Sequence, residues 1–572
     1  MTAAIEAAGL VMNAPLPAAD VEDFEARNGI RLPSAYRAFV TTIGNGGAGP
    51  YHGLEPLDVG VTGHQLAGEF PYDPGTLGVP GTTSVWTYWD EYCGTLLLSR
   101  QEPVEWDYHE TAEPQNLLVV SGPGRGRVVM VDGEREYFGP IYHPARDFLA
   151  WYEEWLAGRR EDRRRAGSDF DPGSGWGLAT VRDSPDAERA VWAAHMIRAR
   201  WGRWGWPALN EAQRAVLAEA ATRSPVPRVR AAALSALSGA SRRKAGALSV
   251  PVLDDPEPRI RVLAMAAVRD SEDLDGGVVR DALRPLLADP DPVVRVRAAA
   301  SLATKGEWAG DTLLEALGAP EGAARAAAVN VLATLPYYAD DDRTRPLFAR
   351  ARGHLADDDP AVRAAAVDTF GFLCVQFGKA NWAPAMISAA VTDPDVRVRR
   401  AAAYRLLYHT RPFTPAHTIG LLLEDDDIAI RYQTLSRLAS DRPPAFLWTD
   451  SARACLAEPD PSIRGAALRA LVRAGVPPAE REWAALLTDP DPGLRAWTAL
   501  FAEDVRHAPG GPLHEALHGL LRDPATETRR RAVRGLEEHC EAAACRPDLE
   551  AVHDAENDGL TRYVLSRVLA RL

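Results

Sequence analysis

The chain has 572 residues, 46% apolar and 25% charged, with a formal net charge of −15. That composition excludes a disordered or collagen-like polymer and leaves room for two to four packed domains. It holds no run of 18 apolar residues, and its opening, MTAAIEAAGLVMNAPLP, lacks the basic stretch and apolar core of a secretory signal, so neither a spanning helix nor export is expected and the chain reads as cytoplasmic.

The five cysteines, Cys93, Cys374, Cys455, Cys540 and Cys545, are scattered and odd in number, which suits a reducing compartment better than a disulfide framework. Charge is split unevenly. Residues 1–158 carry 22 acidic residues against 8 arginines, so this segment holds nearly all of the net negative charge. Such a surface repels nucleic acid and membranes and attracts basic partners.

Residues 18–43 predict two short helices. Gly29 suits the end of the first and Pro33 the start of the second. Tyr36, Phe39, Val40 and Ile43 share one face of the latter. Leu54–Leu57 reads as a short strand. Residues 60–92 are loop-rich and crowd Trp86, Tyr88, Trp89 and Tyr92 together, a group that reads as core under a long loop, with a partner site as the alternative. Two strands come next, Leu117–Val120 and Arg127–Val131. The glycine-rich Ser121–Gly126 between them joins strand to strand, so it is a hairpin connection and not a phosphate loop, which must lead into a helix. A helix over Pro144–Leu156 then stacks Phe148, Trp151, Tyr152 and Trp155 at core spacing. Helix, helix, strands, helix predicts an α+β domain over residues 15–158.

This segment resembles the SUKH superfamily, the Smi-one/Knr-four-like proteins. The resemblance is carried by GIRLPSAYRAF at Gly29–Phe39, GNGGAGPYHGL at Gly44–Leu54, LLVVSGPGRGRV at Leu117–Val128 and DFLAWYEEWL at Asp147–Leu156. A Trp-, Tyr- and Glu-rich insertion at residues 86–115 departs from the family pattern. The resemblance implies a non-catalytic binding protein, most often an immunity protein that neutralises a toxin, commonly a nuclease. Candidate contacts to a basic partner are Glu55, Asp58, Asp73, Asp90, Glu91, Glu102, Glu105, Asp107 and Glu110, weighed against an ordinary solvated acidic face.

Residues 159–185 predict a linker, a solvated Arg-rich run and then Gly173-Ser174-Gly175. Residues 186–223, with Val191, Trp192, Ile197, Trp201, Trp204 and Trp206, predict a helical cap over the first repeat. From residue 224 to 545 one pattern recurs: acidic residue, Pro, an apolar residue, Arg, then an alanine-rich helix. The arginine returns at Arg230, Arg261, Arg295, Arg325, Arg363, Arg399, Arg431, Arg464, Arg495 and Arg529, 30 to 38 residues apart. Self-similarity at that period predicts a solenoid of stacked helix pairs. In the copy Asp289–Ala303, Asp291 is the expected N-cap, Pro292 the first helical residue, and Arg295 an i,i+4 ion-pair partner of Asp291. Val294, Ala298 and Leu302 form the apolar stripe. The copy around Arg325 is degenerate, and Gly559–Leu572, within a terminal segment 546–572, predicts the closing cap helix.

The repeats resemble the short HEAT family related to bilin lyases. That implies an all-α HEAT-repeat solenoid serving as a protein-binding scaffold. Some members of that family are DNA glycosylases with a basic concave groove, a reading that the near-neutral repeats do not favour. His514-Glu515-Ala516-Leu517-His518 matches the zinc-protease pattern H-E-x-x-H, with Glu537, Glu538 or His539 as a third ligand, but it sits in a repeat helix and reads as coincidence. The expectation is a non-enzymatic protein, without cofactor or metal, that binds a protein partner, a basic toxin being the candidate. The alternative is a regulatory scaffold with no toxin partner.

Overall fold

The computed structural model describes the chain except residues 51–52, 58–65, 67, 75–92, 101–113, 133–139, 163–175, 203–208, 242, 336–341, 378–382, 410–415, 442–447, 503–510, 525, 538–541, 557–558 and 572. It divides into two compact units, Met1–Leu57 with Leu66–Arg405, and Leu406–Leu572. The aromatic group Trp86, Tyr88, Trp89 and Tyr92 lies outside the described residues.

The first unit opens with α1 (Thr2–Ala7), α2 (Ala18–Asn28) and α3 (Ser34–Thr42). Gly29 stops α2 in the left-handed conformation, φ +64°. The buried Glu25 fixes the turn after it, accepting the Leu32 N–H (2.8 Å) and an Arg31 N–H (2.9 Å). Four strands form an antiparallel meander: β1 (Thr95–Arg100), β2 (Pro114–Val119), β3 (Val128–Asp132) and β4 (Ile141–Tyr142). The expected strand Leu54–Leu57 shrinks to a single bridge from Leu54 to Gly47. Instead β1 lies within the stretch read as an insertion, because Leu96 and Leu98 are buried there, with a register slip between Leu97 and Ser99.

The Ser121–Gly126 segment joins β2 to β3 as a hairpin. Gly122 has φ +102°, and a Cβ there would overlap the Phe70 carbonyl oxygen. Gly122→Ala is therefore expected to cost about 2–3 kcal/mol in a urea melt, from backbone strain plus that overlap.

Helix α4 (Phe148–Asp162) lays its aromatic stripe on α3. Phe148 meets Tyr36 and Phe39 edge-on, at 4.9 and 5.0 Å between centroids. The Tyr152 hydroxyl satisfies itself on the Ala48 carbonyl (2.9 Å). The segment expected as a linker is partly helical: α4 runs on to Asp162, and α5 (Trp176–Asp183) precedes α6 (Ala187–Gly202). Helix α6 has two working faces. Ala193, Ala194 and Ile197 enter the core of the first repeats. Trp192 and Met196 pack on Met130 and Ile141 of the sheet, and Trp192 meets the His143 ring edge-on at 5.2 Å. The ion pairs Arg127–Glu188 (2.7 Å) and Arg189–Glu154 (2.6 Å) flank that contact. The acidic segment is thus docked on the helices after it, and Trp192 covers the sheet as well as belonging to the repeat cap.

The repeats begin with α7 (Glu211–Arg223) and α8 (Pro227–Ala240). Each later repeat pairs a long helix after the acidic-Pro turn, such as Pro258–Arg269, Pro292–Thr304 and Pro360–Phe377, with a shorter return helix, such as Gly276–Leu283 and Gly310–Leu317. Successive long helices stack on one another through small residues, Ala264, Ala298 and Ala328 among them, all fully buried. The second unit repeats this layering from Ala416–Leu423 to Gly559–Arg571 around a core containing Trp483, Leu487, Leu517 and Leu565. Among the described residues no helix is long and apolar enough to cross a membrane. The architecture is an α-solenoid of stacked helix pairs with a four-stranded sheet near its N-terminus.

Candidate functional site

The recurring arginine is the most regular feature of the chain, and its contacts form the joints between repeats. As expected, Asp291 caps its helix, accepting from the Val293 and Val294 amides (2.8 and 3.1 Å), and Val294, Ala298 and Leu302 are fully buried. Arg295 does not pair with Asp291. Its Nη1 donates to the carbonyls of Asp289 (2.7 Å) and Pro290 (3.2 Å), because Asp291 is already turned inward to the helix amides. The same bond from each recurring arginine to the carbonyl six residues earlier is made by Arg230, Arg261, Arg325, Arg363, Arg399, Arg431, Arg464, Arg495 and Arg529.

With Nη1 so fixed, the guanidinium points its other edge at the turn of the next repeat. Arg261 places Nε and Nη2 on the two carboxylate oxygens of Asp289, both at 2.8 Å. Arg230–Asp255, Arg325–Asp357, Arg363–Asp393, Arg495–Asp523 and Arg529–Glu556 repeat the fork. Arg464 reaches Asp489 at 2.7 Å, and Arg431 stands 3.7 Å from Glu458. Each of these acidic turns is therefore gripped twice, on its side chain by the preceding arginine and on its carbonyl by its own. The hydrogen bond from Arg325 holds the Asp357 carboxyl down at about 2, with His354 adding a further bond. This ladder is the bidentate geometry arginine is suited to and lysine is not.

The ladder extends one step beyond the sequence pattern. Arg562 donates to the Glu556 carbonyl, and Glu556 takes the fork of Arg529, so the terminal helix Gly559–Arg571 is an eleventh repeat element and not only a cap. The signal that finds it is the acidic residue six before the arginine, which Arg562 shares with all the recurring arginines but Arg230 and Arg325, not the acidic-Pro pair. A second pairing outside the repeat pattern is that of Arg405, which donates to Asp368 (2.9 Å) and lies over the Phe372 and Tyr404 rings at 5.5 and 5.1 Å.

The acidic candidates are dispersed. Glu55 is half-buried beside β1, its amide donating to the Leu98 carbonyl (2.8 Å). Asp73 is exposed near Tyr142 of β4, whose hydroxyl pKa is raised by burial, less Arg127, plus Asp73. The two lie at opposite edges of the meander. Asp58, Asp90, Glu91, Glu102, Glu105, Asp107 and Glu110 lie outside the described residues.

His514 and His518 share a face of Pro512–Leu520 with ring centroids 4.6 Å apart. His514 is buried, and burial and then His518 push its pKa below the ordinary value. His518 Nδ1 stands 3.4 Å from Asp548, while Glu515 points outward. Among the described residues no group of three His, Cys, Asp or Glu is placed to hold a metal; Glu538 and His539 are not among them.

No family model and no curated protein matches the chain. Among solved structures it is similar to importin beta crystallised in ammonium sulfate, at 13% identity and TM-score 0.46, covering 69% of this chain and 60% of that one. It is similar also to yeast importin-beta (Kap95p), at 13% identity and TM-score 0.40 over 73% and 64% of the two chains. Kap121p bound to RanGTP shows 14% identity and TM-score 0.41, over 69% and 48%. The chain thus spans less than two thirds of the length of each of these proteins.

Proposed function

We propose that this chain is a non-catalytic protein-binding scaffold. The observation that carries the reading is the contrast between a constant frame and a changing face. The arginine that recurs in every repeat grips the carbonyl of its own turn. Five residues further along three successive long helices of the first unit the identity changes: Asn330, Asp368 and Tyr404 occupy equivalent, solvent-accessible positions. A row whose chemistry differs at each step, on a frame that does not, suits the reading of an extended polypeptide.

The test is capture by the full-length tagged chain from a lysate of its own cells, followed by the variants Asn330→Arg and Tyr404→Ala. A partner that is retained by the parent and reduced by these variants supports the reading; a partner unaffected by both places recognition elsewhere, and no specific capture counts against a scaffold.

A second reading is favoured by the 22 acidic residues against 8 arginines in residues 1–158 and by the SUKH-like motifs. In it the acidic segment neutralises a basic toxin, such as a nuclease, by covering its active-site rim. Protection of cells expressing a toxin encoded beside this chain supports it; killing undiminished by co-expression of the full chain refutes it.

A further inference from the structure

The ladder has one interior gap. An acidic residue stands six before Arg261, Arg295, Arg363, Arg399, Arg431, Arg464, Arg495, Arg529 and Arg562. Six before Arg230 is Ser224, where the repeats begin. Six before Arg325 is Ala319, between two intact repeats.

The backbone around Ala319 keeps the form of the acidic turns. The Ala319 amide donates to the carbonyl three residues back (3.2 Å), as those of Asp289, Asp357 and Asp393 do at 3.2 Å each. Its own carbonyl is gripped by Arg325 Nη1 (2.9 Å). On the other side, Arg295 is clamped as Arg261 is: Nη1 lies 2.7 and 3.2 Å from its two turn carbonyls in both cases. Only the carboxylate is missing. The Nε–Nη2 edge that in Arg261 receives Asp289 meets, in Arg295, no carboxylate among the described residues. In the intact turns the same carboxylate also receives the amide two residues on, as Asp289 receives Asp291 (2.8 Å) and Asp357 receives Asp359 (2.9 Å). The Ala319 side chain cannot fill that role for the Glu321 amide. Arg350 adds a second guanidinium, close enough that a Cβ on Gly318 would overlap its Nη2.

We infer that this gap is a binding position for a carboxylate supplied from outside the chain, the Asp or Glu side chain of a bound polypeptide. The geometry is built and held by the neighbouring repeats, and the group it lacks is defined by the other steps of the ladder. A guanidinium edge beside a backbone amide takes a planar carboxylate in preference to a neutral amide or a spherical anion. The choice of a polypeptide as the source rests on the scaffold reading; the existence of the carboxylate position does not.

The test uses the full chain and needs no partner. Arginines are modified with phenylglyoxal and followed residue by residue by mass spectrometry, with Arg261 and Arg363 as paired controls. Arg295 is expected to react at least about tenfold faster than they do, the difference made by one charge-assisted pair. N-acetyl-aspartyl amide is expected to slow Arg295 alone, and N-acetyl-asparaginyl amide at equal concentration is not. Ala319→Asp is expected to close the ladder, bringing Arg295 to the rate of Arg261, raising the melting temperature and removing the effect of the probe. Ala319→Asn, neutral and of the same shape, leaves Arg295 reactive. The inference is overturned if Arg295 in the parent is as slow as Arg261, if neither probe slows it, or if chloride protects it as well as the aspartyl probe. Failure of partner capture with these results intact refutes only the polypeptide source.

Discussion

Arg261→Ala is expected to destabilise the first unit by about 3–5 kcal/mol, the cost of removing one partner from a buried ion pair. Arg261 and Asp289 are only 10% and 5% exposed in their side chains, so the substitution strands a carboxylate that water reaches poorly. It also removes the donor from the Asp255 and Pro256 carbonyls. Arg295→Ala supplies the contrast. It loses the same carbonyl bonds but leaves no carboxylate behind, so its cost is expected to be about 1 kcal/mol. Urea unfolding of both variants measures the difference directly. Equal losses would mean that the carbonyl grip, not the ion pair, holds successive repeats together. Asp289→Ala should cost nearly as much as Arg261→Ala, since it orphans the guanidinium instead.

Acidification is expected to weaken the same unit through two imidazoles, the buried His195 and the half-buried His143. His195 in α6 is held neutral by burial, and then by Arg198, with its pKa lowered to about 4. His143 beside Trp192 is lowered to about 3 by burial, then by Arg189 and Arg127, and its Nδ1 accepts the Ala145 amide (3.1 Å). Both side chains bind a proton near pH 6.5 once the chain unfolds. Because the folded values are depressed, the stabilisation is complete above about pH 6.5 and is lost as pH falls toward the folded values. Between pH 7 and 5 each histidine should remove about 2 kcal/mol. His195→Leu, which takes no proton, should flatten that slope by one histidine's share. An unchanged slope in this variant would refute the assignment. The loss falls on α6, which ties the sheet to the repeats, so proteolysis between α4 and α7 should accelerate over the same pH range.

The repeat period, the helix N-caps and the apolar stripes were legible in the sequence because each is a local pattern. Asp291, Pro292 and Val294 do their work within one turn of helix, and the structure finds them there. The partner of the recurring arginine was not legible in the same way. Asp291 lies four residues from Arg295 and invites an ion pair, yet the true carboxylate partner of a given arginine lies some 25 to 32 residues away, as in Arg230–Asp255 and Arg325–Asp357. Sequence distance hides what stacking makes adjacent. Strand β1 is hidden for a different reason. Leu96 and Leu98 alternate correctly, but Trp-, Tyr- and Glu-rich surroundings mask the alternation. The docking of Trp192 onto Met130 and Ile141 is hidden too, since an aromatic on a cap helix reads equally well as facing the repeats. Of the nine acidic candidates, Glu55 and Asp73 are described, and they do not converge.

A rule that successive repeats obey on both their sides has an evolutionary consequence. Each unit offers an acidic turn upstream and an arginine fork downstream, like a connector with one plug and one socket. Recombination that removes a whole unit therefore joins compatible ends: excising residues 319–356 would bring Arg295 against Asp357, in the arrangement that Arg325 now has. Arrays of this kind can lengthen or shorten in single steps without redesign of any joint. The step that ends in Ala319 is the one place in the interior of the pattern where the plug is missing.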